Sequence, residues 1–143
     1  MILLESFYRL INKYNQKTKN ARQYGTEHLL YPAEVHLIET IGNHGSITTT
    51  AMAQALGITK GAVSQTTAKL EGKGLIEKHG SQEKRTEVHI SLTEAGRAVF
   101  AFHRQLHTEM MAEVDGVLKE LPPESREAVS RILGILEQSL DKL

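Results

Sequence analysis

With 143 residues, 40% of them hydrophobic and 24% charged, the chain has the composition of one soluble globular domain and is not a disordered tail. The 17 basic and 17 acidic side chains cancel, so net charge by itself names no partner. Cysteine is absent and apolar runs are short, which excludes disulfide frameworks, thiolate metal sites, cysteine nucleophiles and a membrane span, and makes a cytoplasmic protein the expectation.

The opening Met1-Ile2-Leu3-Leu4-Glu5 lacks the basic start and long apolar core of a secretory leader. From Ile2 to about Asn20, the residues Leu3, Leu4, Phe7, Tyr8, Ile11 and Tyr14 form a helical stripe. Residues 21–31 read as a connection. Pro32 then opens a second helix, whose apolar positions Val35, Leu37, Ile38 and Ile41 run to a stop at Gly42-Asn43-His44-Gly45. Thr48 is a good N-cap for a short helix through Ala55. In Leu56-Gly57-Ile58-Thr59, Gly57 can take a positive φ and Thr59 can cap a helix from Lys60 to about Gly72. Val63, Thr67 and Leu70 are its inner positions, and Gly74 supplies a left-handed stop.

The hydrophobic period then changes from about 3.6 residues to about 2. Leu75–His79 and Glu87–Leu92 read as strands joined by a polar turn, with Val88, Ile90 and Leu92 alternating inward. Thr93 caps a long helix from Glu94 to about Leu118. Pro122 starts a last one with Val129, Ile132, Leu133, Leu136 and Leu140 along one stripe. The expected fold is mainly α with a small β-wing: a winged helix-turn-helix core over residues 32–92, flanked by N- and C-terminal helices.

Such a core reads a duplex by inserting its second helix into a major groove about 12 Å wide. The outward side of the 60–72 helix offers Lys60, Gly61, Ser64, Gln65, Ala68 and Lys69, with nothing bulky or aromatic. Gln65 can pair bidentately with adenine, Ser64 can donate or accept, and Ala62 or Ala68 can touch a thymine methyl. Thr59 and Gly61, at the helix start, belong to the same candidate contact set. Lys60, Lys69 and Lys73 suit phosphates, and so do His79 and His89 on the strands. Lys84 and Arg85 stand at the hairpin tip, where an arginine can enter a narrow minor groove. Residues 59–85 hold six basic groups against three acidic ones, whereas residues 94–143 hold nine acidic against six basic. A neutral total therefore hides a basic reading segment.

The run from Leu56-Gly57-Ile58-Thr59-Lys60-Gly61-Ala62-Val63-Ser64-Gln65 through Leu70-Glu71-Gly72-Lys73-Gly74-Leu75-Ile76 resembles the recognition-helix signature of the MarR family of bacterial transcriptional regulators. Leu92-Thr93-Glu94-Ala95-Gly96 is similar to that family's opening of the helix after the wing. The resemblance covers nearly the whole chain. It implies a single MarR-type domain over residues 1–143, a homodimer built from the helices over 1–20 and 94–143, and a palindromic double-stranded DNA operator. It further implies a repressor modulated by a small molecule or a metal. The family has an aspartate two residues before the wing arginine; here Glu83 precedes Arg85 by two. The apolar stripes of the first and last helices exceed what a small winged core covers. Packing within one subunit is the alternative to dimerisation, and the resemblance favours the dimer.

Seven histidines occur in the chain. His103 and His107, at i and i+4 of one helix, share a face and can chelate Zn²⁺ or a similar divalent metal if a third ligand comes from elsewhere. His36 on the second helix is the candidate. This part is similar to the zinc-responsive adhesin competence repressors of the family, where histidines matching His36, His103 and His107 bind the metal as effector. Their fourth ligand is a glutamate; the matching position here is Thr18, a poor zinc ligand, and Glu27 or His28 in the loop before Pro32 could substitute. Without metal, these histidines would be surface and hydrogen-bonding residues. The competing effector is an apolar or phenolic molecule in the cleft between the dimer helices and the winged core.

Two readings of other classes are a metal enzyme built on the histidines and a winged helix that serves protein contacts only. The chain has no H-E-x-x-H, no glycine-rich phosphate loop and no G-x-S-x-G, so no catalytic residue and no required cofactor are expected.

Overall fold

The computed structural model describes residues 2–80 and 87–142. The helices are α1 (Ile2–Thr18), α2 (Pro32–His44), α3 (Thr49–Leu56), α4 (Lys60–Gly72), α5 (Glu94–Glu120) and α6 (Pro123–Leu140). The strands are β1 (Arg22–Gln23), β2 (Leu29–Leu30), β3 (Ser46–Thr48), β4 (Ile76–Gly80) and β5 (Val88–Leu92). They divide into two compact units, one through Gln105 and one from Leu106 onward.

Local chemistry sets the helix boundaries in the first unit. Pro32 sits in the first turn of α2, where its missing N–H costs nothing. The Thr48 hydroxyl accepts from the Ala51 N–H at 3.2 Å to start α3, and Gly57, at φ 64°, ends it in the left-handed region. The Thr59 hydroxyl accepts from the Ala62 N–H at 3.1 Å to start α4. After α4, Gly74 at φ 68° turns the chain, and the Leu75 N–H reaches the Leu70 carbonyl at 3.0 Å. The Thr93 hydroxyl caps α5 through the Gly96 N–H at 3.1 Å and donates to the Gly74 carbonyl at 2.6 Å. These caps and stops are the ones the sequence predicts.

The core of this unit gathers Val35, Leu37, Ile38 and Ile41 from α2 with Met52, Val63, Leu70, Leu75, Ile76, Ile90 and Val99. Burying each such side chain contributes about 1.5–3 kcal/mol of transfer free energy. Thr67 joins them at the inner face of α4, its hydroxyl donating to the Ser64 carbonyl at 3.2 Å.

Three features differ from expectation. The wing is a three-stranded antiparallel sheet in the order β3-β5-β4, not a hairpin alone, with Ile47 opposite Ile90 and Ile76 opposite Leu92. A strand of three residues with one apolar member shows no period, so β3 leaves no pattern in the sequence. The expected connection over 21–31 contains a short ribbon in which Arg22 pairs with Leu30 and Gln23 with Leu29. Val88 was expected inside and is exposed. It pairs with Gly80 at the far end of the β4–β5 ladder, beyond the buried Ile90 and Leu92.

Much apolar surface stays uncovered. Among the described residues of α1 none is buried, and Leu3, Leu4, Tyr8, Leu10 and Tyr14 are exposed. In the second unit, Met110, Val114, Val117, Ile132, Leu133 and Ile135 are exposed too. No described helix is long and apolar enough to cross a membrane.

Candidate nucleic-acid interface

The α4 helix has a buried and an exposed face, with Ala62 and Thr66 partly covered between them. Val63, Thr67 and Leu70 are buried, whereas Lys60, Gly61, Ser64, Gln65, Ala68 and Lys69 are all exposed. The exposed set forms two adjacent rows at i, i+4 spacing, Lys60-Ser64-Ala68 and Gly61-Gln65-Lys69. Each row mixes a lysine, a polar residue and a small residue. A helix about 10–12 Å across with such a face fits a groove about 12 Å wide, because Gly61 and Ala68 let the backbone approach. Thr59 is exposed at the helix start, where its hydroxyl oxygen accepts the cap N–H while its own O–H stays able to donate.

Lys73 is not part of this face. Its ammonium lies 2.7 Å from Oε1 of Glu34 and donates to the Leu29 carbonyl at 2.9 Å. Two of the ammonium's three N–H donors are thus engaged inside the protein, so the phosphate role read from the sequence would have to use the third, on a side chain that is still partly exposed. Glu34 went unnoticed in the sequence. The available signal was a proline at the first helical position followed by a glutamate at the third, the position from which a carboxylate reaches back to the N-cap.

Lys84, Arg85 and Glu83 lie outside the described residues. In the wing stem, His79 stands directly opposite His89. The His79 Nε2 is 3.2 Å from the Ser91 hydroxyl and 3.5 Å from Glu77, and the His89 Nε2 is 3.9 Å from Glu87. Each of these histidines therefore has a carboxylate beside it.

The effector candidates are placed as follows. The His36 and His103 rings lie 6.4 Å apart, centroid to centroid, at 69°. His103 is mostly covered, and its Nδ1 is 3.8 Å from a Glu39 oxygen. His107 is exposed on α5 and belongs to the second unit. The Thr18 hydroxyl donates to the Asn15 carbonyl at 3.2 Å. Glu27 is exposed in the β1–β2 loop, and the His28 N–H donates to the Thr26 hydroxyl at 3.4 Å. Among the described residues, no three His, Cys, Asp or Glu side chains form a group that could hold a metal ion. A cavity of about 470 Å³ opens between α1, the first turn of α2 and α4, lined by Tyr14, Tyr31, Glu34, His36, Thr66 and Lys69 among others.

Comparison with known proteins bears on what this surface does. Residues 30–87 match the family model described as MarR family. Over 85 residues the chain is 28% identical to the uncharacterized HTH-type transcriptional regulator YhjH of Bacillus subtilis (strain 168), a match covering 59% of this chain and 49% of that protein. The chain thus spans about half the length of that curated relative. The crystal structure of Streptococcus pneumoniae FabT in complex with DNA is 25% identical, covers 98% of both chains and superposes with a TM-score of 0.72. The adhesin competence repressor of Streptococcus pyogenes superposes with a TM-score of 0.80 over 96% of this chain and 97% of that one, at 19% identity, a likeness of fold.

Proposed function

We propose, from the match of residues 30–87 to the MarR family model, that the chain is a MarR-type regulator: a sequence-specific DNA-binding transcriptional regulator, not an enzyme, working in the cytoplasm as a homodimeric repressor on a palindromic operator. The observation that carries this reading is the double row on α4, Lys60-Ser64-Ala68 beside Gly61-Gln65-Lys69, opposite a fully buried inner face. In the groove, Gln65 and Ser64 would read base edges, Ala68 a thymine methyl, and Lys60 and Lys69 the flanking phosphates. Lys84 and Arg85 would add contacts from the segment between β4 and β5. The exposed apolar residues of α1, and separately those of the second unit, support dimerisation, since so many large apolar side chains left in water on a lone subunit are unfavourable. Two copies would set their α4 helices into half-sites about 34–36 Å apart.

The test is enrichment of duplexes from a random-sequence library by the purified protein, with sedimentation of the free protein alongside. A palindromic consensus bound by a dimer is the expected result. A monomer that enriches nothing at low salt overturns the reading.

For the effector, the cavity beside α4 has the size of an ordinary small-molecule site and is lined by two tyrosines, a histidine and a lysine. A ligand there would touch α1, α2 and α4 together and could couple to DNA affinity by about 1–3 kcal/mol. A divalent cation is the second reading; the His36 and His103 ring centroids 6.4 Å apart are the observation on its side, and a third ligand would have to be drawn in, since no group of three forms among the described residues. Zinc titration decides it: heat on the wild-type protein that disappears in a His36→Ala, His103→Ala variant supports the cation, and no heat on the wild type removes it.

A further inference from the structure

The C-terminal end of α4 is held by a carboxylate from another helix. Glu34, in the first turn of α2, is 4% exposed. Both of its oxygens are engaged: Oε2 accepts from the Tyr31 N–H at 2.8 Å, and Oε1 accepts from the Lys73 ammonium at 2.7 Å. Lys73 is the C-cap residue of α4, and the same ammonium donates to the carbonyl of Leu29 in β2. One ion pair therefore joins three segments that are 39 and 44 residues apart in sequence.

Apolar packing between helices tolerates small slides, because dispersion contacts have no direction. A buried carboxylate does not. It is unfavourable away from water unless each oxygen keeps its donor, so a placement of the α4 end that carries the Lys73 ammonium out of reach of Glu34 leaves a buried carboxylate oxygen without its partner. At the other end of the helix, the Thr59 cap is local, fixing where α4 starts but not how it leans.

Resting on the reading of α4 as the DNA-reading helix, we propose that Glu34 is a positioning residue for base recognition: through Lys73 it sets the lean of α4, and so decides which base edges Ser64 and Gln65 reach. Lys73 then acts inside the protein and is not a phosphate ligand.

The experiment uses two probes, the duplex that the wild-type protein enriches from a random library and an unselected random-sequence duplex. Glu34→Gln keeps the side chain's shape and an acceptor for Tyr31 but removes the charge facing Lys73. It is expected to lose on the order of tenfold on the enriched duplex, about the discrimination of one base contact, and less than about twofold on the random one. Lys73→Gln is expected to do the same with an unchanged slope of log affinity against log salt, and Lys73→Arg to restore binding to the enriched duplex. An unchanged ratio between the two probes, in either Gln variant, overturns the proposal by reducing the pair to general stability. So does a salt slope that falls by about 0.9 in Lys73→Gln, which would make Lys73 a phosphate ligand. If Glu34→Gln does not fold, the Lys73 pair of variants decides alone, since that side chain is partly solvated and its loss leaves no closed cavity. A wild-type protein that enriches no duplex removes the DNA reading itself, an outcome distinct from both failures above.

Discussion

Gly96 lies directly against the main chain of Leu75: a Cβ placed on Gly96 would stand 1.9 Å from the Leu75 carbonyl oxygen. That oxygen also accepts from the Thr93 N–H at 3.1 Å. The first turn of α5 is thereby pressed onto the segment that leaves α4, and a side chain between them would have no flexible neighbour to push aside.

Gly96→Ala sets two effects against each other. Alanine raises helix propensity by about 1 kcal/mol over glycine. A methyl group forced against backbone costs more, in the range of overpacking, about 1–3 kcal/mol and occasionally above it. Net destabilisation of about 1–2 kcal/mol is expected, read as a lower urea midpoint. A midpoint that rises would show that the helix start moves away freely.

Thr59→Ala removes the hydroxyl that satisfies the Ala62 N–H. The expected loss is about 1 kcal/mol of unfolding free energy, largely restored by Thr59→Ser, which keeps the acceptor. Equal stability of the alanine and serine variants would show that water caps the exposed helix start just as well.

Gln65→Ala should relax preference at a single base position of the enriched duplex, costing about 1–3 kcal/mol there and little on unselected DNA. Binding to a set of duplexes changed one base pair at a time is the measurement. Uniform loss across the set would mean that Gln65 touches only the backbone.

Lys60→Gln should weaken binding to every sequence to a similar degree and reduce the salt slope by about 0.9, the signature of one lost phosphate contact. A slope that stays put would take Lys60 out of the interface, leaving Lys69 as the lysine of the double row.

What the sequence revealed and what it hid separate by distance along the chain. The caps Thr48, Thr59 and Thr93, the left-handed Gly57 and Gly74, and the buried-exposed division of α4 all follow from neighbours within a turn or two, and all are legible. The pairing of Lys73 was hidden, because a lysine at a helix end is usually solvated; its partner is 39 residues upstream, and nothing local marks it. The β3 strand was hidden for the same reason, being defined by Ile90 across the sheet and not by any alternation of its own. The gathering of His36, His103 and Glu39 is likewise a property of packing. The candidate DNA contacts on α4 were readable because a helix displays its faces by spacing; the cavity beside it was not, because three separate elements line it.

Thr48 holds two memberships at once. Its backbone pairs with His89 on β5, while its hydroxyl caps α3. β3 runs into α3 with no residue between them, so the described stem of the wing and the first helix of the helix-turn-helix share a joint at Thr48. A displacement of the β3–β5 pairing would therefore be passed to the start of α3 through a single residue.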